Sequence, residues 1–346
     1  MTPIPYMCAI CAGALLHVLG APLAWMIGPL VAIAGLQLMR VETVIPPVTR
    51  PFGQLVIAST VGMTITPETI RTVGDQLLPM VGAAFLTLCG GFVAGLALAR
   101  IARIDVVAAS LACVPGGPVE MASIAQRLGL PPGPVVFAQT LRIVMLVVII
   151  PPILLGFSDL TTADAAAPVA EAHRLLRVAL LLGLSAVGGY VFVALRLPNP
   201  FFLGAMAMAG AATSLGLPVD EPPLWLIVVA QILLGMWLGR MIDRALFVNS
   251  PRYAFGAVCS TAMLMAICAG VAVGLMSLVD TEWQTMILAT APGGLTEMSL
   301  TAGLLHQSVV IVTAYQVVRI AIVLTAASPV FRLLARAMTH HRDTRH

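Results

Sequence analysis

Charge is what this sequence has least of. Only 10% of its 346 residues are Asp, Glu, Lys or Arg, against about a quarter in a soluble domain, so a water-soluble globular fold is excluded. Polar connections are equally scarce. The longest is the stretch near Ser158 to Arg174, which leaves no soluble domain and no module for reading nucleic acid directly. The net charge of +3 is scattered over loops. The six cysteines (Cys8, Cys11, Cys89, Cys113, Cys259, Cys268) all sit in apolar segments, which argues against a disulfide framework. Cys8 and Cys11 form a C-x-x-C with no second ligand pair, so they read as packing residues. His17 and His306 are the histidines in or beside apolar segments, and neither has a second ligand at metal spacing. No basic residue precedes Arg40, so residues 6–20 are expected to be a retained first helix and not a secretory signal.

What the chain does have is apolar sequence. Sixty per cent of its residues are hydrophobic, with a mean hydropathy of +1.02. Apolar runs cover roughly 6–20, 22–39, 51–66, 77–99, 105–128, 133–157, 174–195, 200–217, 223–242, 253–279, 284–305 and 308–331. Most approach the ~20 residues that span a ~30 Å hydrocarbon core as a helix. The expected class is an all-α polytopic membrane protein.

Within these runs one stretch occurs twice, as Val114-Pro-Gly-Gly-Pro-Val-Glu-Met-Ala122 and Ala291-Pro-Gly-Gly-Leu-Thr-Glu-Met-Ser299, offset by 177 residues. The same offset aligns Gln54 with Gln231, Gly62 with Gly239, Gln139 with Gln316 and Arg142 with Arg319. Further upstream the register slips by one, Gly28 aligning with Gly204. A single offset without a net gap marks an internal duplication, the sequence signature of many transporter folds.

Loop charges bear on orientation, because Arg and Lys favour the cytoplasmic side. Basic loops hold Arg40/Arg50, Arg100/Arg103, Arg196, Arg240/Arg244/Arg252 and the tail; acidic ones hold Glu68/Asp75, Asp159/Asp164/Glu171, Asp220/Glu221 and Asp280/Glu282. These alternate consistently only if 105–128 enters and leaves on one side. Its arms of about ten residues reach ~15 Å, to mid-membrane and no further. The expected plan is therefore five transmembrane helices plus one Pro-Gly-Gly-broken helix per half. With five crossings the second half is inverted. A broken helix that crosses the membrane is the alternative to a re-entrant hairpin. The expected divisions are a first repeat over 1–157, a connecting loop over 158–173, a second, inverted repeat over 174–338 and a basic cytoplasmic tail over 339–346.

The repeated residues suggest a site. Proline removes a backbone donor and paired glycines permit turns closed to other residues, so Pro115, Gly116, Gly117 and Pro292, Gly293, Gly294 end one half-helix and start another. Backbone of this kind survives at membrane depth only when buried in protein or facing a water-filled cavity. Its free amides and the following helix N-terminus could hold an anion; the alternative is a kink for close packing. Glu120 and Glu297 lie in the first turn after each break. They read either as caps on free amides or as carboxylates coupled to a proton or Na+. Gln139/Arg142 and Gln316/Arg319 share a face on the next helices. The arginines read as partners of Glu120 and Glu297 or as ligands of an anionic substrate. Gly91-x-x-x-Gly95, Gly235-x-x-x-Gly239 and Ala58-x-x-x-Gly62 read as close-packing ladders.

With its two Pro-Gly-Gly-x-x-Glu-Met motifs and downstream Gln-x-x-Arg pairs, the chain resembles the bacterial AbrB-type membrane protein family over nearly its whole length. Members are labelled as transporters, ammonia monooxygenases or regulators of gene expression. The sequence departs from the monooxygenase label in lacking a histidine or carboxylate metal cluster. The resulting expectation is a non-enzymatic, inner-membrane, multi-pass transporter with both termini cytoplasmic and no cofactor beyond coupling H+ or Na+. Its partners would be a small solute, more readily an organic anion, the lipid bilayer and, in one arrangement, a second copy in a homodimer. The alternative is a membrane-embedded ligand sensor that affects gene expression without net transport.

Overall fold

A computed structural model describes residues 4–41, 43–156 and 171–343. The described residues are helical and contain no strand. The first half runs through α1 (Ile4–Val18), α2 (Ala24–Leu38), α3 (Thr49–Met63), α4 (Pro67–Asp75), α5 (Leu77–Ala102), α6 (Val106–Cys113), α7 (Pro118–Arg127) and α8 (Pro132–Leu155). The second runs through α9 (Glu171–Ala194), α10 (Pro200–Ser214), α11 (Leu224–Arg240), α12 (Arg244–Asn249), α13 (Pro251–Met276), α14 (Trp283–Thr290), α15 (Leu295–Leu304) and α16 (Val309–Asp343). Residues 158–170 of the expected connecting loop and 344–346 of the expected tail lie outside the described residues. Helix α16 continues to Asp343, so the segment from 339 to there is helical.

The helices fall where the apolar runs lie, and both motif runs are broken in two. Five of them, over Leu77–Ala102, Pro132–Leu155, Arg174–Ala194, Pro251–Met276 and Val309–Ala326, are long and apolar enough to cross a bilayer. Helices α1, α2, α10 and α11 are apolar but shorter, at 15–17 residues, or about 22–26 Å at 1.5 Å per residue. Helix α3 is less apolar, since it buries Thr49, Gln54 and Ser59 among other helices. This is a polytopic helical membrane protein.

Duplication reaches into local geometry. Helices α6 and α14 each have 8 residues, and α7 and α15 each have 10. Helices α2 and α10 each have 15, at the slipped offset that Gly28 and Gly204 mark. Left-handed backbone recurs at twin positions even where the residue type changes: Leu23 (φ 49) with Asn199 (φ 45), Arg40 (φ 65) with Gly216 (φ 67), and Gly129 (φ 72) with His306 (φ 54). His306 thus ends α15 as Gly129 ends α7, with Gln307 N donating to Ala302 O as Leu130 N donates to Ala125 O. At Arg40, Gly129, Gly216 and His306 the left-handed residue closes a helix C-terminus, the next amide pairing with a carbonyl that would otherwise be orphaned.

The chain forms two compact units: residues 1–75, 147–240 and 296–311 in unit 1, and 76–146, 241–295 and 312–346 in unit 2. Each draws on both sequence halves, so packing and duplication divide the chain along different lines. In unit 1, α1 packs on α2, α2 on α11 and α11 on α1; correspondingly α9 packs on α10, α10 on α3 and α3 on α9. In unit 2, α5 packs on α6, α14 and α13, while α13 packs on α14, α6 and α5. Replacing every one of these helices by its twin reproduces the same set of packed pairs, which is what an internal two-fold requires.

Small residues allow these approaches. A Cβ on Gly235 would overlap the carbonyl oxygen of Met26, and one on Gly239 that of Leu30, so α11 meets α2 backbone to backbone. Gly62 meets Met206 of α10 in the same way. The Gly91/Gly95 ladder brings α5 against α6, a Cβ at Gly91 standing 2.9 Å from Val114 Cα and one at Gly95 2.7 Å from Ser110 Cα. Gly235→Ala should therefore cost about 1–3 kcal/mol through overpacking, read as a lower thermal unfolding midpoint in detergent. Gly270→Ala, in α13 with nothing within 4 Å of the added atom, should leave the midpoint unchanged or raise it. Equal midpoints for both variants would show that α2 and α11 are not in backbone contact.

Candidate functional site

The two breaks start alike. Helix α6 ends at Cys113 and Val114 is extended (φ −60, ψ 130); α14 ends at Thr290 and Ala291 is extended (φ −52, ψ 134). The following proline imposes this, because its ring disfavours helical geometry in the residue before it. Gly117 then adopts φ 87, ψ 145, a conformation open to glycine alone, and α7 starts at Pro118. A Cβ on Gly117 would also collide with the Glu120 carboxylate, whose carbon lies 3.3 Å from that position.

A broken helix leaves orphan carbonyls at the end of its first arm and orphan amides at the start of its second. The Gln-x-x-Arg pairs deal with the carbonyls. Gln139 Nε2 donates to Leu111 O at 2.9 Å and Val114 O at 2.7 Å, and Arg142 donates to Cys113 O at 2.7 Å and to Gln139 Oε1. In the second copy Gln316 Nε2 donates to Leu288 O and Ala291 O, both at 3.1 Å. Arg319 donates to Ala291 O at 2.5 Å, to Gly293 O at 2.9 Å and to Gln316 Oε1. All four side chains are buried. Each arginine sits at the negative end of a half-helix dipole, where a cation is stabilised. All 18 basic side chains of the chain are arginine, and the planar guanidinium fork suits several fixed acceptors at once.

This differs from the expectation that the arginines pair with Glu120 and Glu297. Among the described residues neither guanidinium forms an ion pair, unlike Arg177, which meets Asp220 at 3.8 Å near the surface. Backbone carbonyls are nearer and more numerous than carboxylates at the end of a severed helix, and they take the donors first.

The glutamates stand at the third position of α7 and α15, where a carboxylate can reach back to the first free amides. Glu120 is half-buried against Gly117, and Glu297 is buried with its carboxylate accepting from its own backbone N–H. Of the break amides expected to face a ligand, that of Gly116 is engaged within the loop, donating to Val114 O at 2.9 Å.

In unit 2 the two copies converge. A Cβ on Gly116 would stand 2.8 Å from Val323 Cγ1, on the helix that carries Arg319. Thr290 donates to Cys268 O at 3.2 Å, and Cys268 lies within electrostatic reach of both Arg142 and Arg319. Unit 2 thus gathers Pro115, Gly116, Gly117, Glu120, Gln139, Arg142, Pro292, Gly293, Gly294, Gln316 and Arg319. Glu297 belongs to unit 1.

There, α3 brings side chains toward it. Gln54 Nε2 donates to Thr296 Oγ1 at 3.2 Å. Arg50, one turn earlier on α3, donates to Asn199 Oδ1 at 3.2 Å, stacks on Trp237 at 4.3 Å and acts electrostatically on Glu297. Arg50 looked like a loop charge; its twin position is Ile227, and that departure from the repeat was the available signal. Among the described residues no three His, Cys, Asp or Glu side chains gather at metal-binding spacing.

Gln139→Met and Gln316→Met keep side-chain volume but strand Leu111 O and Leu288 O respectively, and remove the side-chain acceptor of the neighbouring arginine. Each should cost about 1–3 kcal/mol per stranded group, measured by thermal or denaturant unfolding of the purified protein. Arg142→Lys should destabilise as well, since an ammonium cannot hold Cys113 O and Gln139 Oε1 in the same plane. Unaltered midpoints would mean that these carbonyls have other partners.

The family described as "Transition state regulatory protein AbrB" matches residues 25–335. The chain is 26% identical to "Uncharacterized protein YhjN" of Bacillus subtilis (strain 168) over 354 aligned positions, covering 96% of this chain and 92% of that protein. It is 25% identical to "Putative regulator AbrB" of Escherichia coli (strain K12), covering 91% and 90%. Residues 25–335 include both broken helices and both Gln-x-x-Arg cradles, and the chain belongs to the AbrB family of membrane proteins.

Proposed function

We propose that this protein is a secondary-active transporter that moves a small organic anion across the bacterial inner membrane by alternating access, coupled to H+ or Na+. The observation that carries this reading is the pair of interrupted helices. Each has its carbonyl end tied off by a buried Gln–Arg cradle, and its amide end faces a glutamate at the third helical position. Discontinuous helices whose positive ends meet anionic groups recur in transport sites. Preference for an anion follows from the positive N-terminal end that each second half-helix offers. Glu120 and Glu297 are the coupling groups, carboxylates at membrane depth being functional by default. Glu297 holds the larger role, because Arg50, Gln54 and Thr296 surround it with polar groups. In this reading the halves are inverted, both termini are cytoplasmic, and the chain catalyses no covalent step.

A second reading is favoured by the printed names of the family and of the Escherichia coli relative, both of which say regulator. The same site would then bind a ligand without net transport. Proteoliposomes loaded and diluted to impose a pH or Na+ gradient separate the two. Gradient-driven accumulation of an organic acid, lost in Glu297→Gln while the unfolding midpoint is kept, is the expected result. A solute that stabilises the purified protein but is never accumulated under any gradient rejects transport and leaves the regulator. Single cysteines in place of Arg127 and His306 address inversion: impermeant labelling should reach the first from the cytoplasm and the second from outside. Labelling of both from one side would rule the inverted plan out.

A further inference from the structure

We propose that unit 2 binds a chloride ion beside Arg142, in a small cavity between α6, α8 and α13. The cavity is lined by Ala112 and Cys113 of α6, Ala138 and Arg142 of α8, and Ser260, Thr261 and Leu264 of α13. This site goes beyond the transport reading and stands whether or not the protein moves a solute.

Three observations converge on it. The first is charge. Arg142 and Arg319 are only 3% and 4% exposed and lie close enough to act on each other electrostatically. The dipole of a half-helix offsets roughly half a unit charge, so two cationic cradles leave a positive excess in a medium that tolerates it poorly. No carboxylate lines the cavity.

The second is an unused donor. Each amino nitrogen of Arg142 has an acceptor, Cys113 O or Gln139 Oε1, whereas its buried Nε–H has no hydrogen-bond partner among the described residues. A buried donor left unmade is costly, and more so on a charged group. The Ser260 hydroxyl donates to Ala257 O, so Thr261 supplies the hydroxyl on the far wall.

Size is the third. The cavity has room for about one water-sized species. A carboxylate, phosphate or sulfate brings several heavy atoms and does not fit; a monatomic anion does. Alanine and leucine side chains and the soft Cys113 thiol, around one arginine and the hydroxyls of Ser260 and Thr261, suit a weakly hydrated halide better than a small, strongly hydrated ion.

The test uses the full chain purified in detergent, with sodium gluconate exchanged for sodium chloride or bromide at constant ionic strength. The expected result is a saturable rise of the unfolding midpoint with either halide. Thr261→Val, which swaps the hydroxyl for a methyl of equal size and leaves Arg142 in place, should raise the half-saturating concentration by roughly tenfold or more. Bromide-grown crystals of the unaltered chain should show an anomalous peak at Arg142 Nε, and this arm decides alone if the variant does not fold. Identical midpoints in gluconate and chloride, or a cavity free of bromide, would overturn the proposal and assign the Nε–H to a buried water. A halide effect that Thr261→Val leaves untouched, with bromide located elsewhere, overturns it too.

Discussion

The arrangement of this protein depends on one constraint: a helix severed in the middle of a membrane must have its backbone groups satisfied by protein. Lipid offers no hydrogen bonds. Pro115 and Pro292 sever α6 from α7 and α14 from α15, and that is tolerable only because α8 and α16 present a glutamine and an arginine to the cut carbonyls. The Pro-Gly-Gly motif and the Gln-x-x-Arg pair downstream of it are therefore one device in two pieces. The glutamine supplies the donors, the arginine places its charge at the negative end of the arm, and each fixes the other through the bond between them. With the carbonyl side closed off, the amide side of each break becomes the place where a ligand or a carboxylate can act.

Around that device the halves repeat one another in element length, in left-handed helix ends and in packed pairs, yet the copies are not equal. The hydroxyl of Thr296 takes the Gln54 amide, and the residue aligned with Thr296 in the first copy is a valine, at 119. Arg50 has an isoleucine as its twin. Symmetry accounts for the scaffold, and these departures from it collect around Glu297. Arg50 and Thr296, whose twins are Ile227 and Val119, both bear on Glu297, and that points to distinct tasks for the two carboxylates.

Much of the scaffold was legible in the sequence because its causes are local. Apolar runs of sufficient length became helices, Pro-Gly-Gly broke them, and Gly28 with Gly204 revealed the one-residue slip that α2 and α10 share. The glycine ladders read as packing and do pack. What was hidden depends on neighbours brought together from far along the chain. The backbone acceptors of Gln139 and Arg142 are carbonyls 25, 28 and 29 residues back along the chain, and every residue has a carbonyl, so no residue type announces them. The short α4 and α12 lie in polar connections, outside any apolar run. Units that interleave the halves follow from α11 packing on α2 and α10 on α3, which a linear division of the chain cannot express. Arg50 sat at the edge of an apolar run, and only Trp237 and Asn199, from the other half, show that it belongs to a site.

The position of the glutamates links structure to coupling on the transport reading. A carboxylate at the third residue of a half-helix and an anionic solute at the same N-terminus compete for the same free amides and the same dipole. While Glu297 is charged it occupies that role itself, and a second negative charge alongside it is repelled. A proton, or a cation held by Glu297 with the hydroxyl and amide of Thr296 and Gln54 nearby, removes the repulsion and leaves the amides to the solute. Coupling then requires no long-range relay. Binding of the cation favours binding of the anion, and by reciprocity the anion favours the cation to the same degree. The loaded site carries little net charge through the low-dielectric part of the membrane, where an uncompensated charge would be most costly.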